Sequence, residues 1–268
     1  MELNNKVPGR KNGVYIIDAD THISPTKERG GSMSAEELIR RMDYAGVERA
    51  LTWIQPPYLR QIDRANEYLY ESVQKYPDRI VGFGWADPRL GVDKARKMAR
   101  KCIEEYGFYG VKLNGAQNEY YIDDPDLALP VINEISAMGK TIAFHVGADA
   151  YEFTHPFRVE KIARRYPDMT VLMVHMGGAA FADLSDASIE VAEKCPNVHL
   201  IGSAVKDVSI LKAIRKLGAD RVSFGSDSPF ALMHAAVAMY RAILDGENLT
   251  EEEKQLIMGG NMKKILRI

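Results

Sequence analysis

The sequence predicts an α/β fold, a (β/α)8 barrel with extra helices at its carboxyl end. Eight short apolar segments recur at intervals of roughly thirty residues, the length of a strand–helix–strand unit. The segments are rich in Val and Ile and lack polar alternation, as is typical of parallel strands buried on both faces. Eight such units fit the 268 residues of the chain. A doubly wound open sheet is the alternative, although it would gather functional residues at one switch point.

Each predicted element has a local signal at one or both ends. Ser34 and Glu37 form a capping box that begins the first helix, which ends near Gly46, and Pro77 and Pro167 end two later helices. The strands are predicted at 14–17, 50–54, 80–86, 110–113, 141–144, 170–174, 198–201 and 222–225. The helices are predicted at 34–46, 60–76, 91–105, 125–139, 156–166, 182–194, 207–217, 230–244, 250–258 and 261–266.

Composition narrows the class of protein. The formal net charge is −2 and no long basic block occurs, so binding to nucleic acid is not expected. No run of eighteen apolar residues occurs, so no membrane span is expected. Cys102 and Cys195 lie far apart, which indicates a reducing compartment, and the polar residues 1–13 do not resemble a signal peptide. We expect a cytoplasmic protein with one domain over residues 1–268.

The first predicted strand runs into the motif Asp18-Ala19-Asp20-Thr21-His22. Side chains alternate along a strand, which predicts that Asp18, Asp20 and His22 project on one side. Asp20 and His22 could then bind one metal ion, while Asp18 lies deeper and is expected to be a structural carboxylate. Taken alone, the motif fits an Asp-rich turn with a solvated histidine better than a metal site.

Three further polar residues stand at the ends of predicted strands. His145 ends the fifth strand, His175 the sixth, and Asp227 the eighth. A barrel gathers the carboxyl ends of all its strands on one face, so these residues should meet Asp20 and His22 there. Imidazole and carboxylate groups are typical zinc ligands. The pattern therefore predicts a metal site, although each residue alone could be a core histidine or a helix cap.

Other charged residues are expected near the same face. Lys112 lies between the apolar residues Val111 and Leu113 and should face the barrel interior. It could bind an anionic group of a substrate, balance the carboxylates, or be carboxylated and bridge two metal ions; the first two roles are favoured. His155 and Arg158 follow the fifth strand and are candidates for contact with substrate.

The motifs, in their order and spacing, resemble the amidohydrolase superfamily over nearly the whole chain. They are similar above all to the amidohydrolase-related branch that includes aminocarboxymuconate-semialdehyde decarboxylase and γ-resorcylate decarboxylase. The motifs that carry the resemblance are Asp18-Ala19-Asp20-Thr21-His22, Gly110-Val111-Lys112-Leu113, Phe144-His145-Val146, Tyr166-Pro167-Asp168, Val174-His175-Met176-Gly177-Gly178, Phe224-Gly225-Ser226-Asp227-Ser228-Pro229-Phe230, and the tail from Glu251 to Asn261.

The resemblance implies that Asp20, His22, His145 and Asp227 hold one divalent metal ion, with zinc expected first and manganese second. It implies that His175 is an acid/base beside the metal or a further ligand. The superfamily usually has histidine where this chain has Asp20, although some members of the branch, including decarboxylases, have a carboxylate there. A homodimer that acts on a small anionic substrate is also implied.

The chemistry that we expect first is metal-dependent hydrolysis of an ester, lactone or amide bond in a small carboxylated molecule. A divalent cation lowers the pKa of bound water to about 7. Asp227 would take a proton from this water and return it to the leaving group, while His175 would stabilise the oxyanion or move a proton. The alternative is non-oxidative decarboxylation of an aromatic or muconate-type acid, and a non-catalytic metal-binding protein is a third hypothesis.

Overall fold

The computed structural model describes residues 14–27, 32–55 and 60–268 of the chain. The predicted polar lead-in at 1–13 and parts of two predicted loops, 28–31 and 56–59, lie outside the described residues. Among the residues that are described, no helix has the length and apolar character needed to cross a bilayer.

The predicted (β/α)8 barrel is confirmed. All pairings between neighbouring strands are parallel, and the third predicted strand is present as two short strands, β3 and β4, on either side of Phe83. The strands are β1 Ile17–Ile23, β2 Arg49–Ile54, β3 Ile80–Gly82, β4 Gly84–Trp85, β5 Gly110–Leu113, β6 Thr141–His145, β7 Val171–Val174, β8 Val198–Ile201 and β9 Val222–Ser223.

Two hydrogen-bonded sets, β1–β3 and β4–β9, join to close the barrel. The N–H of Phe83 donates to the carbonyl of Thr52 at 2.9 Å, which links the sets on one side. On the other side the N–H of Ala19 donates to the carbonyl of Phe224 at 3.0 Å, and that of His22 to the carbonyl of Ser228 at 2.8 Å. Closure brings the first and last strands together, so residues two hundred positions apart meet.

Helices follow the strands largely as predicted, and the short helix at Gly115–Asn118 was not predicted. Ser34 Oγ accepts a hydrogen bond from the N–H of Glu37 at 3.2 Å, so one half of the predicted capping box is present. The Glu37 carboxylate instead pairs with Arg40 and Arg41. Gly46 ends the helix with a φ of 72°. The helices are α1 Ala35–Ala45, α2 Ile62–Lys75, α3 Val92–Arg100, α4 Gly115–Asn118, α5 Ala128–Ala137, α6 Pro156–Arg165, α7 Asp183–Lys194, α8 Asp207–Leu217, α9 Met233–Asp245, α10 Glu251–Gln255 and α11 Asn261–Leu266.

The prediction for the first strand is wrong in its position. The strand was expected at 14–17 and to end before the motif, but β1 runs from Ile17 to Ile23. Asp20 and His22 therefore lie within the strand, where backbone hydrogen bonds fix their positions, and not just past its end.

The expected alternation in β1 is also broken. Ile17 and Ala19 both belong to the apolar cluster inside the barrel, and the register with β2 shifts between Asp18 and Thr21. The irregularity turns Asp20 inward directly after Ala19. The prediction that Asp18 shares a side with Asp20 is therefore wrong, because the period of two does not hold across a bulge.

Asp18 is the structural carboxylate that the sequence led us to expect. It is fully buried, and its Oδ1 accepts hydrogen bonds from the N–H groups of Ser226 at 2.8 Å and Asp20 at 3.1 Å. Burial outweighs these bonds and raises the pKa of Asp18 to about 7. Asp18 thus ties β1 to the segment that carries Asp227.

Acid should weaken the fold through His199 in β8. The ring is buried and its Nε2 lies 2.9 Å from Ser223 Oγ; burial, aided by Arg221, lowers the pKa of His199 to about 3. At a pH below the ordinary pKa of histidine, His199 binds a proton in the unfolded chain but not in the folded protein. The free energy of unfolding therefore falls as the pH falls. Between about pH 7.5 and about pH 5 we expect this histidine to remove about 2 kcal/mol.

Urea unfolding at the two pH values tests this expectation. The variant His199→Gln should lose about 2 kcal/mol less than the unmodified protein over the same interval. His234→Gln, which changes an exposed histidine, is the control and should keep the original pH dependence. Equal pH dependence in all three proteins would contradict the assignment.

Candidate metal centre and active site

The structure brings the five predicted cluster residues together at the carboxyl end of the barrel. Asp20 and His22 lie on β1, His145 is the last residue of β6, and His175 and Asp227 follow β7 and β9. The first four side chains are buried, and Asp227 is 13% exposed. Four strands or strand ends that are distant in sequence therefore form one polar cluster.

The distances within the cluster suit a single cation. His22 Nε2 lies 3.4 Å from Asp20 Oδ1 and 3.4 Å from Asp227 Oδ1. Asp20, His175 and Asp227 each offer a ligand atom within 4.8 Å of the others. The rings of His145 and His175 meet edge to face with centroids 4.7 Å apart. His175 is thus placed as a potential ligand as well as an acid or base.

Hydrogen bonds orient the imidazoles. His22 Nδ1 lies 3.0 Å from the carbonyl of Ile54, so it donates there and Nε2 of the neutral ring is an acceptor. Nε2 faces the cluster and accepts a hydrogen bond from the indole N–H of Trp53 at 3.1 Å. His175 Nδ1 lies 3.1 Å from the carbonyl of Ser203. The hydroxyl of Ser203 donates to Asp20 Oδ2. Ser203, which follows β8, was missed from the sequence, since a serine after a strand carries no signal of its own.

Two buried atoms of the cluster lack hydrogen-bond partners in the described part of the chain, which indicates whether a metal ion fits there. Asp20 Oδ1 and His145 Nε2 have no hydrogen-bond partner among the described residues. An unsatisfied buried polar atom costs about 1–3 kcal/mol, and both atoms are of the type that binds Zn²⁺ or Mn²⁺. Burial and Lys112 lower the pKa of His22, but Asp20 and Asp227 outweigh them and raise it. The cluster therefore attracts positive charge and fits a divalent ion.

The backbone at the two candidate acid/base residues has an uncommon conformation. His175 has a φ of 66° and Asp227 a φ of 60°, both in the left-handed region that non-glycine residues seldom adopt. Such residues cost about 1–3 kcal/mol each and concentrate at functional sites. Gly147 packs against Gly177 so closely that a Cβ on Gly147 would lie 1.9 Å from the Gly177 carbonyl oxygen. The close approach keeps the loops of His145 and His175 together.

Lys112 faces the barrel interior, as predicted, but it lies beneath the cluster and is fully buried. Its Nζ is 3.9 Å from Asp20 Oδ1 and 3.8 Å from the centroid of the Trp53 ring. Burial lowers the pKa of Lys112 to about 8, although Asp20 and Asp227 oppose this effect. Burial is the largest single influence on Asp20 and would raise its pKa, but Lys112, His22 and His175 together hold that pKa below its ordinary value. This placement suits charge balance.

His155 and Arg158 lie outside the cluster. His155 caps α6, where its Nδ1 accepts from the N–H of Phe157 at 3.3 Å. Arg158 pairs with Asp123 at 2.6 Å and lies 4.2 Å from the centroid of the Tyr121 ring. Neither residue, nor Lys112, lines the cavity described below, so their contact with a substrate stays a prediction.

A cavity of about 610 Å³ opens above the cluster, large enough for a small organic acid. His22, His145, His175 and Asp227 form part of its wall. The wall also includes groups that the sequence did not single out, chiefly Gln55, Arg60, Asn114, Gln117, Asn118 and Phe230. All of them follow strands at the same face, but which loop residues turn inward depends on the folded loops.

A parallel (β/α)8 barrel with an imidazole and carboxylate cluster at its mouth defines the class of barrel metalloenzymes. The chain belongs to the amidohydrolase family, whose model matches residues 17–268. Membership of the superfamily and similarity to its decarboxylase-containing branch are thus confirmed.

The chain is similar to several decarboxylases. It is 23% identical over 289 residues to the gamma-resorcylate decarboxylase of Polaromonas sp. (strain JS666), with 87% of each chain covered. It is 24% identical over 236 residues to the 2-amino-3-carboxymuconate-6-semialdehyde decarboxylase of Dictyostelium discoideum, covering 75% of this chain and 65% of the relative.

A solved structure matches the barrel closely. A dihydroxybenzoic acid decarboxylase from Polaromonas sp. JS666, with bound manganese and the inhibitor 2-nitroresorcinol, has a TM-score of 0.74 and 19% identity. The match covers 94% of this chain and 97% of that one. At this identity the likeness supports the barrel fold.

Removal of cluster side chains should weaken metal binding. We expect His145→Ala and Asp20→Asn each to lower the affinity for Mn²⁺ or Zn²⁺ by about tenfold or more, since each removes a ligand atom or its charge. Equilibrium dialysis followed by elemental analysis measures the change. His234→Ala, outside the cluster, should bind as the unmodified protein does. Full metal content in both cluster variants would contradict the site.

Proposed function

We propose that this protein catalyses the metal-dependent, non-oxidative decarboxylation of a small aromatic acid at the mouth of the barrel. The observation that carries the proposal is the position of Asp227. Its carboxyl group reaches the cavity while it touches the cluster, whereas Asp20 is sealed below. An acid between a cation site and an organic cavity suits the delivery of a proton to a bound ring. The similarity to decarboxylases supports the same reaction.

The reaction replaces a carboxylate with a proton. The bond between the ring carbon and the carboxylate breaks, its electron pair stays on the ring carbon, and carbon dioxide leaves. Asp227 in its protonated form delivers the proton that forms the new carbon–hydrogen bond, and a proton taken up from the solvent later reprotonates Asp227, so one proton is consumed for each carbon dioxide released. His175, beside the cluster, exchanges protons with the substrate's oxygens. A bound divalent ion supplies the positive charge that holds the substrate's oxygens and offsets negative charge on the ring.

The cavity wall favours an aromatic substrate. Phe230 is 57% exposed, and its ring lies edge to face against His22 with a centroid distance of 5.3 Å. An exposed aromatic ring at this place can stack on a substrate ring. Among the described residues Arg60 forms long ion pairs, at 3.8 Å to Asp87 and 3.5 Å to Glu119, and a hydrogen bond of 3.5 Å to the carbonyl of Asn118. Its guanidinium can therefore donate hydrogen bonds to an anionic or hydroxyl group of the substrate.

Hydrolysis of an ester, lactone or amide, which we expected first from the sequence, stays a prediction. It uses the same cluster, with water as a reactant in place of a proton donor. The similarity to decarboxylases favours the other reaction. Manganese likewise becomes the metal to test before zinc, because the similar solved structure has manganese bound.

A substrate panel separates the two reactions. Protein loaded with Mn²⁺ should release carbon dioxide from one or more dihydroxybenzoates, and it should not cleave lactones or esters at a comparable rate. Carbon dioxide is measured in a coupled assay while the organic product is identified by mass. Cleavage of a lactone without any release of carbon dioxide would favour the hydrolase and overturn the proposal.

The proton donor can be tested directly. Asp227→Asn should lower kcat for carbon dioxide release by about 10²–10⁴-fold, because an amide cannot supply the proton. Metal content should be measured beside the rate, so that loss of the ion is distinguished from loss of the acid. Asp186→Asn on the surface of α7 is the matched control and should keep full activity. Substantial activity in a metal-loaded Asp227→Asn variant would exclude Asp227 as the donor.

A further inference from the structure

Burial of a lysine without a hydrogen bond destabilises the folded state, and the proposed reaction gives this lysine no role. Lys112 Nζ has no hydrogen-bond partner among the described residues, and neither has Asp20 Oδ1, which lies 3.9 Å away. This oxygen is also the atom that faces His22 Nε2 at 3.4 Å. The ammonium group therefore stands behind an atom that the cation site would use.

Trp53 joins Lys112 to the other side of the cluster. The ammonium group lies over the face of the Trp53 ring, with Nζ 3.8 Å from the ring centroid. This cation–π contact stabilises the charged form of the lysine. The indole N–H donates to His22 Nε2 at 3.1 Å. Two potential ligand atoms, Asp20 Oδ1 and His22 Nε2, are thus each approached by a positively polarised group of the chain itself.

We propose that Lys112, held on the ring of Trp53, is an internal counter-cation that competes with the divalent metal ion for Asp20 and takes its place in the metal-free protein. The inference rests on the metal-binding part of the proposed function and not on decarboxylation. Lys112 acts through Asp20 and is a positioning residue.

Two consequences follow from this competition. A positive charge next to Asp20 repels a divalent ion, so Lys112 weakens metal binding. Without the ion, the same charge is the compensation that the buried carboxylate needs, so Lys112 stabilises the metal-free fold. Lys112 therefore lowers the metal affinity while it raises the stability of the metal-free protein. A residue that only fills space would not change the two quantities in opposite directions.

The variant Lys112→Met tests both effects because it keeps an unbranched side chain, one heavy atom shorter than lysine, and removes the charge. We expect the chelator-stripped variant to bind Mn²⁺ and Zn²⁺ about tenfold or more tightly than the unmodified protein, measured by isothermal titration calorimetry. Its Tm should be lower without metal, and the rise in Tm at saturating metal should be larger than in the unmodified protein. Lys194→Met, an exposed lysine on α7, is the control and should match the unmodified protein.

Equal or weaker metal affinity in a folded Lys112→Met protein overturns the proposal. A lower Tm that metal does not restore also overturns it, since a packing defect would act on both states alike. Absence of metal binding by the unmodified protein would overturn both the inference and the metal site. Failure of the substrate panel with metal binding intact would overturn decarboxylation alone.

A second measurement does not depend on changing Lys112. The chain has two tryptophans, so Trp85→Phe leaves Trp53 as the single indole. A metal ion that displaces the N–H contact at His22 should change the emission of Trp53 during a Zn²⁺ titration; Zn²⁺ is used because Mn²⁺ quenches by itself. Emission that stays constant while calorimetry records binding would overturn the role of the Lys112–Trp53 pair.

Discussion

Asp20 is fully buried at the carboxyl end of an apolar barrel, and its charge has to be compensated by groups that other strands bring to it. Lys112 from β5 lies behind it, Ser203 from the loop after β8 donates to it, and the imidazoles of His22 and His175 stand beside it. Several kcal/mol of desolvation act on such an ion, so the arrangement of these partners is tightly constrained. The same buried negative charge also favours a bound metal cation at this place.

The backbone is locally strained where it positions the residues of this cluster. His175 and Asp227 adopt left-handed conformations, and the contact of Gly147 with Gly177 leaves no room for a side chain. The packed core of the surrounding barrel compensates for this local strain. The left-handed conformations direct the acid/base groups toward the cavity, where Phe230 offers an apolar surface for a ring. The candidate acid/base residues and the candidate substrate-binding residue therefore lie side by side where the barrel meets its loops.

The fold and the cluster were predictable from the sequence because both depend on repeated local signals. Eight apolar segments alternate with amphipathic ones, and His145 and His175 stand at strand ends that any such barrel gathers on one face. The opposite facing of Asp18 and Asp20 was not predictable, because the bulge after Ala19 breaks the alternation on which the prediction relied. Lys112 was correctly placed inside the barrel, but the sequence left its role open.

The sequence by itself determined the class of fold and the five polar residues of the cluster, since these follow from periodicity and from the order of strand ends. It also indicated the family, through motifs that resemble those of the amidohydrolase superfamily. Only the tertiary structure decided which side chains line the cavity and which stay beneath it. Arg60 and Phe230 enter the wall, whereas Lys112, His155 and Arg158 do not. The physical reason is that loop conformation and burial depend on contacts between distant segments, and no local pattern encodes those contacts.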